Sequence, residues 1–244
     1  MKNYGFTLAE VFSPSRKAKR SFGFTLAEVL ITVGIIGVVS ALTVPTLVKN
    51  HQRQVYVTQL RKVYNEISNA VEQYMSDQRV EDLRESDIGT KTQQAAIDFV
   101  NSSFKIVKNC HTRYNDGGSN NCFGATYESL DGSVTTDSKT GQCQVTFTIP
   151  SGAAVCVDIG PMEDVKLDDD TNITSSNFAG TSSDNVIMFE VDVNGSQGPN
   201  IFGRDMFYIQ VASDGTLNCD RNPNTNDAAK GFCHILDNNW QMNY

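Results

Sequence analysis

The chain has 244 residues, a formal net charge of −8 and 39% hydrophobic residues. At about 150 residues per domain that is enough for one or two domains. So acidic a balance argues against a nucleic-acid binder, which needs clustered Lys and Arg to meet phosphates, and the modest apolar fraction excludes a multi-pass membrane protein.

The averages hide an uneven distribution. Residues 1–23 carry five basic residues and one acidic residue, and the rest of the chain carries 15 basic and 27 acidic. Between a basic front and an acidic body lies an uncharged run of 20 residues, Val29–Val48. As a helix at ~1.5 Å per residue it spans ~30 Å, the thickness of a bilayer hydrocarbon core. Arg16, Lys17, Lys19 and Arg20 precede it, so the positive-inside rule places the N-terminus in the cytoplasm and the body outside. A Sec-type signal peptide has a similar front, but its apolar core is ~7–15 residues long and ends at an A-x-A-like site. Here the run is longer, and only Val39-Ser40-Ala41, inside it, resembles such a site. Glu28 stands at the head of the run, where a carboxylate meets hydrocarbon at a cost and is a functional candidate for that reason.

Gly23-Phe24-Thr25-Leu26-Ala27-Glu28 joined to this run resembles the class III signal of type IV pilins and type II secretion pseudopilins. The resemblance covers residues 16–75. It implies cleavage between Gly23 and Phe24 by a prepilin peptidase, N-methylation of Phe24, and a role for Thr25, Glu28 and Pro45 in assembly. It further implies other pilin or pseudopilin subunits, an inner-membrane assembly platform and the lipid bilayer as partners. In that family the carboxylate at the position of Glu28 pairs with a neighbouring subunit's N-terminal ammonium. A second copy of the motif, Gly5-Phe6-Thr7-Leu8-Ala9-Glu10, is followed by Val11-Phe12-Ser13-Pro14 and a basic run, so no membrane helix is attached to it. The second junction is therefore the expected substrate.

Beyond Lys49, Tyr56, Leu60, Val63, Ile67, Ala70 and Tyr74 recur at helical spacing, one apolar stripe of an amphipathic helix. Unbroken from Phe24 to Met75, such a helix is ~78 Å long. Residues 76–90 read as loop or frayed helix. Gln93–Phe104 reads as a short helix with Ala96, Ile97, Val100 and Phe104 on one face. From Cys110 to Thr140 the chain is rich in turn residues, with a short strand at Ala125–Leu130. Gln144–Ile149 and Ala153–Ile159 flank Pro150-Ser151-Gly152 as a hairpin, and Val186–Val193 and Met206–Val211 are the strongest strands. Asp214-Gly215 turns the chain into Thr216–Asn218, and the stretch 160–185 reads as a solvated loop.

The expected fold is α+β, pilin-like: a long N-terminal helix packed on a small antiparallel β-sheet head. The organisation divides into a removable leader (1–23), a transmembrane and assembly helix (24–48), its amphipathic continuation (49–77), a loop-rich connection (78–143) and a β head with a C-terminal loop (144–244).

Six cysteines, Cys110, Cys122, Cys143, Cys156, Cys219 and Cys233, all follow the apolar run. Outside the cytoplasm they read as disulfides, with sequential pairing favoured and Cys219–Cys233 clipping the C-terminal loop. A hairpin centred on Ser151 makes Cys143–Cys156 the less secure pair. Zinc is the rival prompted by Cys110-His111 and Cys233-His234, but no C-x-x-C or H-x₃₋₅-H spacing supports it.

The segment Asp192–Asp205 joins the two strongest strands. Asp192, Asn194, Ser196, Asn200 and Asp205 offer hard oxygens suited to Ca²⁺, with Asp192, Asn194 and Asp205 as the candidate ligands; no other cofactor is expected. The structural alternative is a turn scaffold of Gly, Pro and Asx residues. No hydrolase, nucleotide-binding or metalloprotease motif is present, so the expectation is a non-enzyme. The functional expectation is a prepilin-like subunit of a type II secretion pseudopilus or type IV pilus. The alternative is a membrane-anchored binding module or adhesin that does not polymerise.

Overall fold

The computed structural model describes residues 23–110, 122–135, 144–160, 185–221 and 227–244. Residues 1–22 of the leader, with the Gly5–Glu10 repeat, Cys143 and most of the stretch 160–185 lie outside them. The chain divides into two compact units, one ending at Leu47 and the other spanning Val48–Tyr244.

Helix α1, Leu26–Gln78, takes up 53 residues and holds Pro45 within it. In the first unit its side chains are exposed all round, with Leu26 at 78% and Ile36 at 63%. A helix that exposes apolar surface on every side needs a non-aqueous partner. By length and composition α1 is long and apolar enough to cross a membrane.

In the second unit α1 turns amphipathic, burying Val57, Leu60, Val63, Ile67, Ala70, Val71 and Tyr74. The expected stripe is there, widened by Val57 and Val71, while Tyr56 is only half-buried. The stretch 76–90, expected as loop or frayed helix, completes α1 to Gln78 and adds two 3₁₀ turns, Leu83–Glu85 and Asp87–Thr90. Asp82 caps the first by accepting from the Arg84 amide at 2.8 Å. Leu83 and Ile88 go into the core, and that burial holds a charged segment in short helices. Helix α2, Gln93–Ser103, starts where the Thr92 side chain accepts from the Ala95 amide. Its buried face includes Phe99, which the expected stripe omitted; Ile97, which it included, is only half-buried.

Among the described residues eight short strands follow: β1 Lys108–Asn109, β2 Tyr127–Glu128, β3 Val134–Thr135, β4 Val145–Thr148, β5 Ala154–Ile159, β6 Asn185–Asp192, β7 Met206–Ala212 and β8 Leu217–Asn218. Six form one antiparallel sheet in the order β1-β4-β5-β6-β7-β8, and β2 and β3 pair apart from it. The β4–β5 hairpin pairs Thr148 with Ala154 and Val145 with Val157 around Gly152, whose φ of 91° suits glycine.

One face of the sheet presents Phe147, Val155, Val157, Phe189, Val191, Phe207 and Ile209 to α1 and α2. Phe99 lies edge-on to Tyr74 at 5.0 Å and to Phe104 at 5.8 Å, so an aromatic cluster ties both helices to the sheet. The other face is buried too, under a second cluster containing Cys110, Cys122, Phe123, Tyr127 and Phe202. Alternation thus drives Asp158, Glu190, Asp192 and Gln210 into the interior rather than toward water.

The C-terminus departs from expectation. In place of a loop it forms α3, Asp227–Asp237, burying Ala228, Ala229, Phe232, Cys233 and Ile235. Gly231 sits mid-helix, where glycine disfavours helix by about 1 kcal/mol. Its role is a close crossing: a Cβ on Gly231 would overlap the Gly203 backbone, and one on Gly203 would meet the Asp227 carbonyl oxygen at 2.5 Å. A tertiary contact therefore dictates the residue that hides this helix from local reading.

Candidate functional site

Two places hold the residues singled out by the sequence. The first is the start of α1. Gly23, Phe24 and Thr25 precede the helix and are exposed, with Phe24 at 87%. Glu28 Oε2 accepts hydrogen bonds from the Thr25 amide and the Thr25 hydroxyl, both at 2.8 Å. The Glu28 amide in turn donates to Thr25 Oγ1 at 3.2 Å. This is a reciprocal capping box, satisfying amides that a helix start leaves without partners. The T-x-x-E spacing of Thr25 and Glu28 is itself a local capping signal, beside the pairing role that the resemblance implies. Glu28 is thus not a bare carboxylate facing hydrocarbon; one of its oxygens is held by its own helix terminus. Any exchange toward a neighbour's ammonium either uses the other oxygen or opens this cap.

The second place is the segment between β6 and β7. The Val193 amide donates to the Asp205 carbonyl at 2.8 Å, closing the loop at its base. Asp205 Oδ1 accepts from the Ile201 amide at 2.6 Å, and Asp192 Oδ1 from the Asn194 amide at 3.1 Å. Asp192 Oδ2 accepts from the Tyr127 hydroxyl. The loop also splints the small sheet: the Glu128 amide donates to the Asn200 carbonyl, and the Phe202 amide to the Glu128 carbonyl, both at 2.9 Å. A Cβ on Gly124 would overlap the Asn200 side chain, so the 122–127 turn lies hard against the loop. The turn-scaffold reading therefore has a specific hydrogen-bond basis.

Asp192 and Asp205 are both fully buried and feel each other's charge. Burial, then the neighbouring Asp205, pushes the Asp192 carboxyl well above its usual range. Burial also pushes Asp205 up to about 7, against opposing amide hydrogen bonds and the Arg204 cation. Burial and the two carboxylates raise the Tyr127 and Tyr56 hydroxyls as well. A separation of 65 residues between Tyr127 and Asp192 leaves no local sequence signal for this contact.

Three oxygens here have no hydrogen-bond partner among the described residues: Asp205 Oδ2, Asn194 Oδ1 and Asn200 Oδ1. They are hard donors of the kind Ca²⁺ takes, although a full shell needs six to eight oxygens. Both Asp192 oxygens are already engaged, and Ser196 is exposed. Among the described residues no group of three His, Cys, Asp or Glu side chains is assembled for a metal.

The described disulfides are Cys110–Cys122, with Cα atoms 6.1 Å apart, and Cys219–Cys233, at 5.3 Å. The second joins the end of β8 to α3 rather than clipping a loop. Cys156 is disulfide-bonded as well, while Cys143, its expected partner, lies outside the described residues.

Residues 18–44 match the model of the prokaryotic N-terminal methylation motif, the prepilin-type signal of type IV pilins and pseudopilins. No curated protein matches the chain, and no solved structure does. The chain thus carries the prepilin-type signal at its front, and its long helix with an antiparallel sheet is an α+β, pilin-like architecture.

Proposed function

We propose that this chain is a prepilin-like structural subunit. The apolar part of α1 anchors the precursor in the inner membrane with the head outside. A prepilin peptidase cleaves between Gly23 and Phe24 and methylates the new N-terminus. The trimmed chain then joins other pilin or pseudopilin subunits, on an inner-membrane assembly platform, in a type II secretion pseudopilus or a type IV pilus. A structural role of this kind is usually non-enzymatic.

The observation that carries this reading is the methylation-motif match at residues 18–44, joined to a helix with a 20-residue uncharged run. N-terminal sequencing of the mature protein tests it, with N-methylated Phe24 expected as the first residue. A chain that begins at Phe6 or retains its leader refutes the junction. Shear fractionation and microscopy then separate polymer from anchored module: filaments containing the head support the subunit, and a head found only in membranes supports the binding module.

The unpartnered oxygens of Asp205, Asn194 and Asn200 support a second proposal, that the β6–β7 loop takes up Ca²⁺. The cation would replace the protons that burial favours on Asp192 and Asp205, so binding would strengthen as pH rises. The expected result is a calcium-dependent rise in melting temperature, larger at pH 8 than at pH 5 and lost in Asp205→Ala. No shift at millimolar calcium at pH 8 retires the cation.

A further inference from the structure

Residues 49–65 of α1, which follow the apolar run, are charged in one sign only. No acidic residue occurs between Glu28 and Glu66, while Lys49, Arg53, Arg61 and Lys62 all fall there, in a body with a large acidic excess. If the leader is removed, the cytoplasmic cations Arg16, Lys17, Lys19 and Arg20 go with it. The cations that stay beside the apolar run are those on its outer side, the reverse of the usual bias.

Their spacing along the helix matches the headgroup layer. Lys49 immediately follows Val48, and Arg53 lies ~6 Å further at ~1.5 Å per residue. A bilayer of ~40–45 Å with a ~30 Å core leaves ~5–8 Å of headgroups in each leaflet. Arg61 is ~20 Å beyond Val48 on the same rise, and its guanidinium lies over the Trp240 ring, 5.5 Å from the centroid. The upper cations are thus beyond a headgroup's reach, and the lower two are within it.

Arg53 also lies in a groove. It is half-buried in a cleft of about 790 Å³ that has Asn50 and Gln54 of α1 on one side and Gln241 and Asn243 of the C-terminal segment on the other. Among the described residues no Asp or Glu side chain lines it. A guanidinium flanked by side-chain amides suits a phosphodiester, which Arg binds through two parallel N–H donors while amides reach the remaining oxygens. Zwitterionic lipids bring an ammonium into the same space, with no carboxylate side chain in the lining to receive it.

We propose that this groove, headed by Arg53 with Lys49 beside it, binds the headgroup of an anionic phospholipid in the outer leaflet of the membrane that anchors the precursor. The inference rests on the anchored-subunit reading. It adds that the head is seated on the bilayer by a lipid contact that must be released when the subunit leaves for a filament.

Native mass spectrometry of the full chain in detergent, offered equimolar phosphatidylglycerol and phosphatidylcholine with matched acyl chains, tests this. Each cation near a headgroup favours the anionic lipid about fivefold. The wild type is therefore expected to retain phosphatidylglycerol at least fivefold over phosphatidylcholine. Arg53→Gln should reduce that preference about fivefold with its melting temperature unchanged, and Lys62→Gln should leave it intact. Equal retention of the two lipids by wild type, or an undiminished preference in Arg53→Gln, overturns the proposal. So does an Arg53→Gln variant that keeps the lipid preference but loses association between copies of the chain, which would assign the cations to a neighbouring acidic head. Carbonate extraction separates this from failure of the anchor: release of the wild-type chain refutes anchoring itself, whereas a resistant chain with no lipid preference refutes only the groove.

Discussion

Asp158 gives the sharpest test of how this head is built. It sits on β5 on the sheet face away from α1, only 3% exposed. Its Oδ1 accepts from the Gln144 amide at 2.8 Å, and its Oδ2 has no hydrogen-bond partner among the described residues. Burial pushes its carboxyl up to about 7 from a usual 3.8, against that one amide bond. The sign follows from linkage. The folded state holds the proton more tightly than the unfolded chain, so the group's stability contribution is fully present below pH 3.8 and is lost as pH rises through about 7. The difference amounts to about 4 kcal/mol across that window. Asn at this position keeps the acceptor for Gln144 and removes the charge. It still leaves one buried donor without a partner, a cost of about 1–3 kcal/mol that a protonated Asp also bears. Asp158→Asn should therefore match wild type or fall slightly below it at pH 4.5, and exceed it at pH 8. For a head of this size the relative change is about 10 °C in melting temperature. Melts of both full-length proteins by circular dichroism at pH 4.5, 6, 7 and 8 measure it. Curves that stay parallel across that range would show that Asp158 is not buried as a proton-holding group, and the covered second face of the sheet would have to be rejected with it.

Three further outcomes follow from the geometry. Glu28→Gln should keep an acceptor for the Thr25 amide and Glu28→Ala should lose that half of the capping box, about 1 kcal/mol of local helix stability, while in both variants the amide of residue 28 still donates to Thr25 Oγ1; if charge pairing drives assembly, both should be cleaved at Gly23 and both should reduce filament yield, as shear fractionation reads. Gly203→Ala places a Cβ 2.5 Å from the Asp227 carbonyl at a φ of 79°, so it should destabilise the head by more than 2 kcal/mol in thermal melts. Replacing both Cys219 and Cys233 by Ala opens a closure of 14 residues, worth about 3 kcal/mol in a chain-entropy account, with hydrogen exchange expected to rise first in α3.

The local code was strongest where one segment carries its own pattern. An uncharged 20-residue run, a stripe repeating every three or four residues, and a Pro-Ser-Gly turn between apolar runs each report the element that contains them. From these the long helix, α2, the β4–β5 hairpin and the β6 and β7 strands were legible. The T-x-x-E cap was equally local and went unread because the same residues also fit a processing signal. The helix α3 was hidden for a different reason: Gly231 weakens the helical pattern, and only the crossing with Gly203 explains why it is there.

The sequence by itself determined the long apolar segment, the front signal and the division between that segment and an acidic body, because hydropathy and charge are properties of contiguous residues. The tertiary structure alone decided which polar residues are interior. Asp158, Asp192 and Asp205 look like ordinary solvated carboxylates in the chain. They become buried, proton-favouring groups because both faces of the central strands are covered and because Tyr127 arrives at Asp192 from 65 residues away. Burial is set by what packs across from a residue, and its neighbours in sequence carry no record of that.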